Sequence, residues 1–286
     1  MSSQMWKLLY SMLRRVNRKV PRMGRRTQYG DVLIVAMYLW SVAHDRPMLW
    51  ATDRANYGRV FRPRRLPSVS QFYRRIQSPR CQALLQALHE ALADAAEVSK
   101  LSFIDGRAFV VGAYSTDADA HVGKVSGGFA RGYKLHAMAT ADGRFTHFRV
   151  EPLNVSEQKV APDLIAEAPL CGVLVADSNY DSRALYEHAL NHGALLFTPL
   201  PENAGGGHHP YCWPRMLAKS AWDRGYGLDL YKQRNAIERY LGQLSAFGGG
   251  LAPLPAWVRR LPRVRRWITA KVIFYHVRWR IRNAAA

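Results

Sequence analysis

The chain is poor in cysteine, poor in acid and without a long apolar run. Its three cysteines, Cys81, Cys171 and Cys212, are scattered and form no Cys-x-x-Cys pair. That excludes a disulfide scaffold and a zinc ribbon and fits a reducing cytosol. The apolar stretch Val32–Ala43 is about a dozen residues, short of the roughly 18 that a spanning helix needs. No basic, apolar and small-residue segments follow one another in secretory order. The Arg-rich opening has the composition of a transit peptide, but its basic residues run straight into a helical pattern. Acidic residues number 21 against 41 Lys and Arg, a formal charge of +20. Residues 1–30 carry eight basic side chains and no acid, and the chain after Glu238 carries ten more and again no acid. Such a charge attracts polyanions, whether nucleic acid or an anionic membrane surface. Both ends therefore face polyanions, while the acids are kept in the middle.

What is present is enough to build a core. Hydrophobic residues make up 48% of 286 residues, which excludes a wholly disordered chain and, at roughly 100 to 200 residues per domain, suggests two domains. Residues 1–98 read as helical. Trp6, Leu9, Tyr10 and Leu13 recur at helix spacing, a second helix runs over 29–43 with Asp31 in its first turn, and 82–96 form another. Ser68 is placed to cap a short helix carrying Gln71, Phe72, Tyr73, Arg74 and Arg75. A recognition helix has that composition, and so has any solvated helix; Arg74 and Arg75 are candidate DNA contacts.

From Leu101 the pattern turns to strands. Leu101–Asp105 and Val173–Asp177 are short apolar runs, each ending in a carboxylate, and Arg107–Tyr114 continues the first. Tyr133–Thr140 and Arg144–Glu151 flank an Asp142-Gly143 hairpin turn. Helices are expected at 157–167 and 182–192, a strand at 194–199, and a long helix at 228–247 stopped by Gly248-Gly249-Gly250. Gly123–Arg131 reads as a mobile basic loop and 200–226 as loop. The tail from Trp257 to Arg282 reads as one or two amphipathic helices. The fold class is α/β, with a helical arm first (1–98), an α/β domain next (99–250) and a basic helical tail packed on it (251–286).

Sites in open α/β sheets collect beyond the carboxyl ends of strands, where Asp105 and Asp177 both fall. Cleaving a phosphodiester requires charge on the attacking and leaving oxygens to be offset together, which two Mg²⁺ ions roughly 3.5 to 4 Å apart achieve when hard oxygen ligands hold them. Either aspartate alone is as readily a turn cap. On the expected long helix Tyr231, Arg234 and Glu238 share one stripe, beside an apolar stripe of Ile237, Leu241 and Leu244. Taken alone, Arg234 and Glu238 are an ordinary surface pair.

In combination these pieces resemble a family. Tyr231-Lys-Gln-Arg234-Asn-Ala-Ile-Glu238 resembles the Tyr-Arg-Glu-Lys signature of DDE-type transposases from bacterial insertion sequences. Phe103-Ile-Asp105-Gly106, Gly132-Tyr-Lys134-Leu-His136, Asn154-Val-Ser-Glu157 and Ala176-Asp177-Ser-Asn-Tyr180-Asp-Ser182 are similar to the other family motifs, in order, over about residues 100–246. The resemblance implies a ribonuclease-H-like catalytic domain; the helical domain before it, read as DNA-binding, resembles the family only in general character. It implies catalytic and metal-binding roles for Asp105, Asp177 and Glu238, with two Mg²⁺ ions or Mn²⁺ in their place. DNA contacts would come from Tyr231, Arg234, Lys134 and Arg239. The implied partners are double-stranded DNA (terminal inverted repeats and target) and a second copy of the chain in a homodimer, with no membrane, in the cytoplasm with the nucleoid. The signature lysine is replaced by Ser245, which leaves open a catalytically weak DNA-binding relative; another ribonuclease-H-like nuclease is the further alternative. Trp213 or Trp222 is placed to stack a flipped base, although a core or loop aromatic is the ordinary reading. His208-His209 with Cys212 lacks the partners a zinc site needs.

Overall fold

The structure, a computed structural model, describes residues 2–21, 28–94, 96–199, 212–246 and 254–284. Four helices open it: α1 (Ser3–Lys19), α2 (Asp31–Ala43), α3 (Val69–Ile76) and α4 (Pro79–Ala93). In α1 the buried residues Trp6, Leu9, Leu13 and Val16 recur every three or four positions, so one stripe packs and the arginines stay outside. α2 is buried from Ile34 through Val42, a core helix apolar on every side. No helix among the described residues is long and apolar enough to cross a membrane. At the start of α3 the Ser68 hydroxyl accepts the Gln71 N–H and the Gln71 side chain accepts the Ser68 N–H, a reciprocal cap.

A six-stranded sheet follows, comprising β1 (Ser99–Val110), β2 (His121–Val125), β3 (Gly128–Thr140), β4 (Phe145–Pro152), β5 (Leu170–Val175) and β6 (Ala194–Phe197). β3 runs antiparallel to β1 and pairs β2 through residues 128–132 and β4 through 133–139. β1, β5 and β6 are parallel neighbours; the chain passes from β4 to β5 through α5 (Glu157–Glu167) and from β5 to β6 through α6 (Arg183–Asn191). The β3–β4 hairpin turns at Gly143, whose φ of +94 suits glycine and whose N–H donates to Thr140 O at 2.9 Å. A Cβ there would also meet the Tyr240 ring at 2.9 Å, so turn and packing both require glycine.

Four expectations are corrected. β1 stops at Val110 and does not reach Tyr114. Gly123–Arg131 is the β2–β3 hairpin, not a loop. Its glycine misleads because a Cβ at Gly123 would lie 2.4 Å from Leu153 O, so glycine here serves a close backbone approach within a strand. Of the expected loop 200–226, residues 200–211 lie outside those described, and 213–223 form helix α7 (Trp213–Asp223). Pro214 stands in its first turn, where the missing N–H is harmless. The single helix expected at 228–247 is two, α8 (Tyr226–Lys232) and α9 (Asn235–Ala246). The break is a tight turn in which Gln233 N–H donates to Leu230 O and Arg234 N–H to Tyr231 O. Gly248–Gly250 lie outside the described residues.

The chain closes with one helix, α10 (Leu261–Asn283). It packs on α4, α2, α1 and β4 and so joins helices to sheet. His276 Nε2 accepts the Phe145 N–H at 3.0 Å, and Arg280 donates to the α4 carbonyls of Leu92 and Ala91 at 2.8 and 2.9 Å, as a cation at a helix carboxyl end should.

The helical region depends on Asp31. Its carboxylate accepts from Arg75 and, at 2.9 Å, from Arg80. Arg80 is only 6% exposed and also donates to Asn17 Oδ1 and to the Val20 and Pro21 carbonyls. One carboxylate thus ties the end of α1, the start of α2, and α3 and α4. Asp31→Asn strands a buried guanidinium and is expected to destabilise by on the order of 2 to 4 kcal/mol. Urea unfolding checks this; a midpoint unchanged from wild type would show the hub to be idle.

Candidate active site

Two strands in register set the first two carboxylates. Phe103 of β1 pairs with Val175 of β5 in the parallel ladder, and Asp105 and Asp177 each stand two residues further on. Asp105 is 8% exposed and accepts the Gly106 N–H at 2.8 Å. Asp177 caps a short 3₁₀ turn, accepting the Asn179 N–H at 2.9 Å and the Asn179 side-chain amide at 3.0 Å.

The third carboxylate arrives through an arginine. Ile237, Leu241 and Leu244 of α9 are buried, as the apolar stripe requires, and α9 packs on β1. Tyr240 fixes its other side by donating to Ala141 O at 2.7 Å. At the α8–α9 break the Arg234 guanidinium donates to Asp105 Oδ2 at 3.3 Å and to Glu238 Oε1 at 3.1 Å. It also reaches the Tyr231 hydroxyl at 3.4 Å and lies over that ring. The helix break aims Arg234 inward, which an uninterrupted helix does not demand. Burial raises the Asp105 carboxyl to about 6; Arg234 and the Gly106 N–H oppose this, and the charges of Asp177 and Glu238 push it further up. Asp177 is also raised, first by burial, with Asn179 and Arg234 opposing.

Three more groups surround this pair, and no site role was expected of Glu157 or Tyr180. Glu157, the first residue of α5, accepts from Lys134 Nζ at 2.7 Å. A Cβ on Gly106 would lie 3.3 Å from both Glu157 Oε1 and Lys134 Cδ, so the ion pair borders the Asp105 strand. Despite burial, the Glu157 carboxyl is held below its usual range by Lys134. Tyr180 is 1% exposed, its hydroxyl has no hydrogen-bond partner among the described residues, and Asp105, Glu157 and Asp177 all bear on it. The signal was present: both residues stand in the quoted motifs, but only their neighbours were assigned chemistry. His136, opposite Gly106, is buried, with neither ring nitrogen partnered among the described residues and its pKa lowered by burial to about 4.

Residues 98–220 match a family model described as a transposase DDE domain. The match supports a DDE transposase. It opens at the junction between helices and sheet and contains Asp105, Lys134, Glu157 and Asp177; Arg234 and Glu238 lie beyond it. No curated protein matches the chain.

The remaining candidates divide. Asp181, in the second-aspartate motif, grips Arg215 of α7 with two bonds of 2.9 and 2.8 Å and so anchors that helix. Arg239 and Arg74 are exposed, whereas Arg75 is committed to Asp31. Trp222 stacks on Phe197 and donates to Thr198 O, a core aromatic, while Trp213 is exposed. His208, His209 and the Ser245 side chain lie outside what is described, and among the described residues no His, Cys, Asp and Glu group of three is arranged to hold a metal.

A carboxyl raised in the folded chain favours folding while protonated and loses that contribution as pH rises through its folded value, here about 6. In chelator at pH 7.5, where Asp105 is charged, Asp105→Asn is expected to stabilise the chain, by up to roughly 3 kcal/mol. The gain should fade toward pH 4. A melting series in which the variant is less stable at pH 7.5 would contradict this account of the site.

Proposed function

We propose that the chain is an insertion-sequence transposase that cuts DNA at element ends and joins the freed 3′-hydroxyl to target DNA. The observation that carries this reading is the Arg234 guanidinium bridging Asp105 and Glu238, with Asp177 in register beside Asp105. A single cation shared by carboxylates from β1 and α9 supports the reading that Asp105 and Glu238 act together. The reading includes a ribonuclease-H-like catalytic domain over 99–250, supported by four antiparallel strands continued by two parallel ones. A helical DNA-binding and dimerisation domain (1–98) and a basic tail (251–286) complete it. The partners are terminal inverted repeats, target DNA and a second copy of the chain, acting at the nucleoid in the cytoplasm.

The donor chemistry fits a hard divalent cation. All three groups are carboxylates, and Asp105 is a buried acid with like charges beside it, a burden such a cation relieves. As they stand, Arg234 takes that part. Asp105, Asp177 and Glu238 would hold two Mg²⁺ ions, or Mn²⁺. When bound, the ions activate water and offset charge on the attacking and leaving oxygens. The chain supplies the rest. Arg234 and Lys134 are cations bordering the carboxylates and suited to phosphate oxygens. The buried floor formed by Asp105 and Tyr180 excludes water, and the Tyr180 hydroxyl is a donor awaiting an acceptor. Arg239, Tyr231 and Arg74 extend the DNA contacts.

A second reading, a DNA-binding relative with weak chemistry, is favoured by the absence of a three-ligand metal group among the described residues and by Ser245. Supercoiled-plasmid nicking in Mg²⁺ or Mn²⁺ separates the two. The transposase reading expects wild type to nick and Asp177→Asn to lose at least about 100-fold, equivalent to about 3 kcal/mol of transition-state stabilisation, with DNA affinity unchanged. Wild-type binding without nicking would leave the binding-only reading, and cleavage confined to RNA–DNA hybrids would point to another nuclease.

A further inference from the structure

Beside the carboxylates stands a group whose hydrogen-bonding capacity is unspent. Tyr180 is 1% exposed, and its hydroxyl has no hydrogen-bond partner among the described residues. A buried hydroxyl left unpaired costs stability, and a folded chain seldom keeps one without a use. The chain is tied on both sides of it. The Tyr180 N–H donates to Asp177 O at 3.1 Å, and the Asn179 carbonyl accepts from Gln158 of α5 at 3.0 Å. On the other side Asp181 is gripped by Arg215 of α7. These bonds hold the backbone, and complete burial holds the ring.

The surroundings of the hydroxyl are acidic. Burial raises the Tyr180 pKa, and the charges of Asp105, Glu157 and Asp177 raise it further, with Arg234 opposing. The phenol therefore keeps its proton and is a donor among acceptors. The donors around it are already committed. Lys134 is bound to Glu157 at 2.7 Å, and Asn179 holds both oxygens of Asp177 at 2.9 and 3.0 Å. Arg234 is shared between Asp105 at 3.3 Å and Glu238 at 3.1 Å.

Asp105 is the carboxylate whose partner has to change. With Arg234 on its Oδ2, the acidic groups are not arranged to hold a metal: no group of three among the described residues is. A divalent cation that takes Asp105 must displace the guanidinium, since two positive charges on one carboxylate oxygen repel each other. Asp105 then keeps the Gly106 N–H on Oδ1 at 2.8 Å and loses its other donor. Carboxylates that ligate a metal are themselves held by hydrogen bonds, which orient them. Tyr180 is the uncommitted donor at hand.

We propose that Tyr180 is a positioning residue: its hydroxyl donates to Asp105 once a divalent cation has displaced Arg234, and so fixes that carboxylate as a ligand. It acts through Asp105 and touches neither DNA nor the reacting atoms. The inference rests on the transposase reading for the presence of the cation.

The test is Mn²⁺ binding by the full chain at pH 7.5, followed by the electron paramagnetic resonance of the free ion, with Asp105→Asn marking the share due to this site. Tyr180→Phe should weaken the Asp105-dependent binding about 10- to 100-fold. In chelator the same variant should melt no lower than wild type, because the hydroxyl it removes is unpaired there. Plasmid nicking by Tyr180→Phe should fall at low Mn²⁺ and recover as Mn²⁺ is raised. A lower melting temperature in chelator would make the hydroxyl a structural contact and overturn the proposal. Nicking that stays low at saturating Mn²⁺ would place the hydroxyl on the reacting atoms and overturn it as well. Binding that Asp105→Asn abolishes and Tyr180→Phe leaves at wild-type strength sinks this inference alone. No Asp105-dependent Mn²⁺ binding in wild type sinks the transposase reading and this inference with it.

Discussion

Acidic groups brought together in a half-buried site repel one another and need a cation. In this chain the need is met by Arg234, whose guanidinium joins Asp105 of β1 to Glu238 of α9. Much of the α/β half is arranged around that contact. The helix breaks at Gln233–Arg234 so that Arg234 turns inward. Ile237, Leu241 and Leu244 press α9 on the sheet. The hairpin turn at Gly143 stays free of a side chain so that Tyr240 can dock there. The same contact makes the site responsive: a guanidinium is the natural partner of a phosphate as well as of a carboxylate. On the proposed function, DNA and divalent ions would therefore act on the same set of bonds.

The positive charge is not spent on one task. Arg75 and Arg80 hold Asp31, Arg144 holds Asp142 and Glu97, Arg265 holds Glu151, and Arg280 closes α4. A formal charge of +20 thus overstates the surface offered to a polyanion. The exposed remainder, with Arg74 and Arg239 among it, is where duplex contact has to be sought.

The pattern of the sequence carried much of this. Asp177 was readable because an apolar run ending in a carboxylate places that group beyond a strand; Asp105 instead stands inside β1, paired with Ala137, and the parallel register of β1 with β5 sets the two side by side. The Asp142-Gly143 turn and the apolar stripe of α9 were readable for similarly local reasons. What escaped depends on distant partners. Nothing near Gly123 announces that Leu153 will lie against it and make it a strand residue. Nothing around Arg75 names Asp31, and Pro214 looks like a loop residue until Asp181 holds Arg215 in the first turn of a helix. Glu157 and Tyr180 enter the site only once α5 and the turn after β5 fold onto β1 and β3.

The most direct test of the central claim is a structure of the full chain with DNA and Mn²⁺, read by anomalous scattering. The account predicts Mn²⁺ among Asp105, Asp177 and Glu238, with Arg234 moved from the carboxylates to a phosphate. Bound DNA with Arg234 still bridging Asp105 and Glu238, and no anomalous signal there at saturating Mn²⁺, would contradict it.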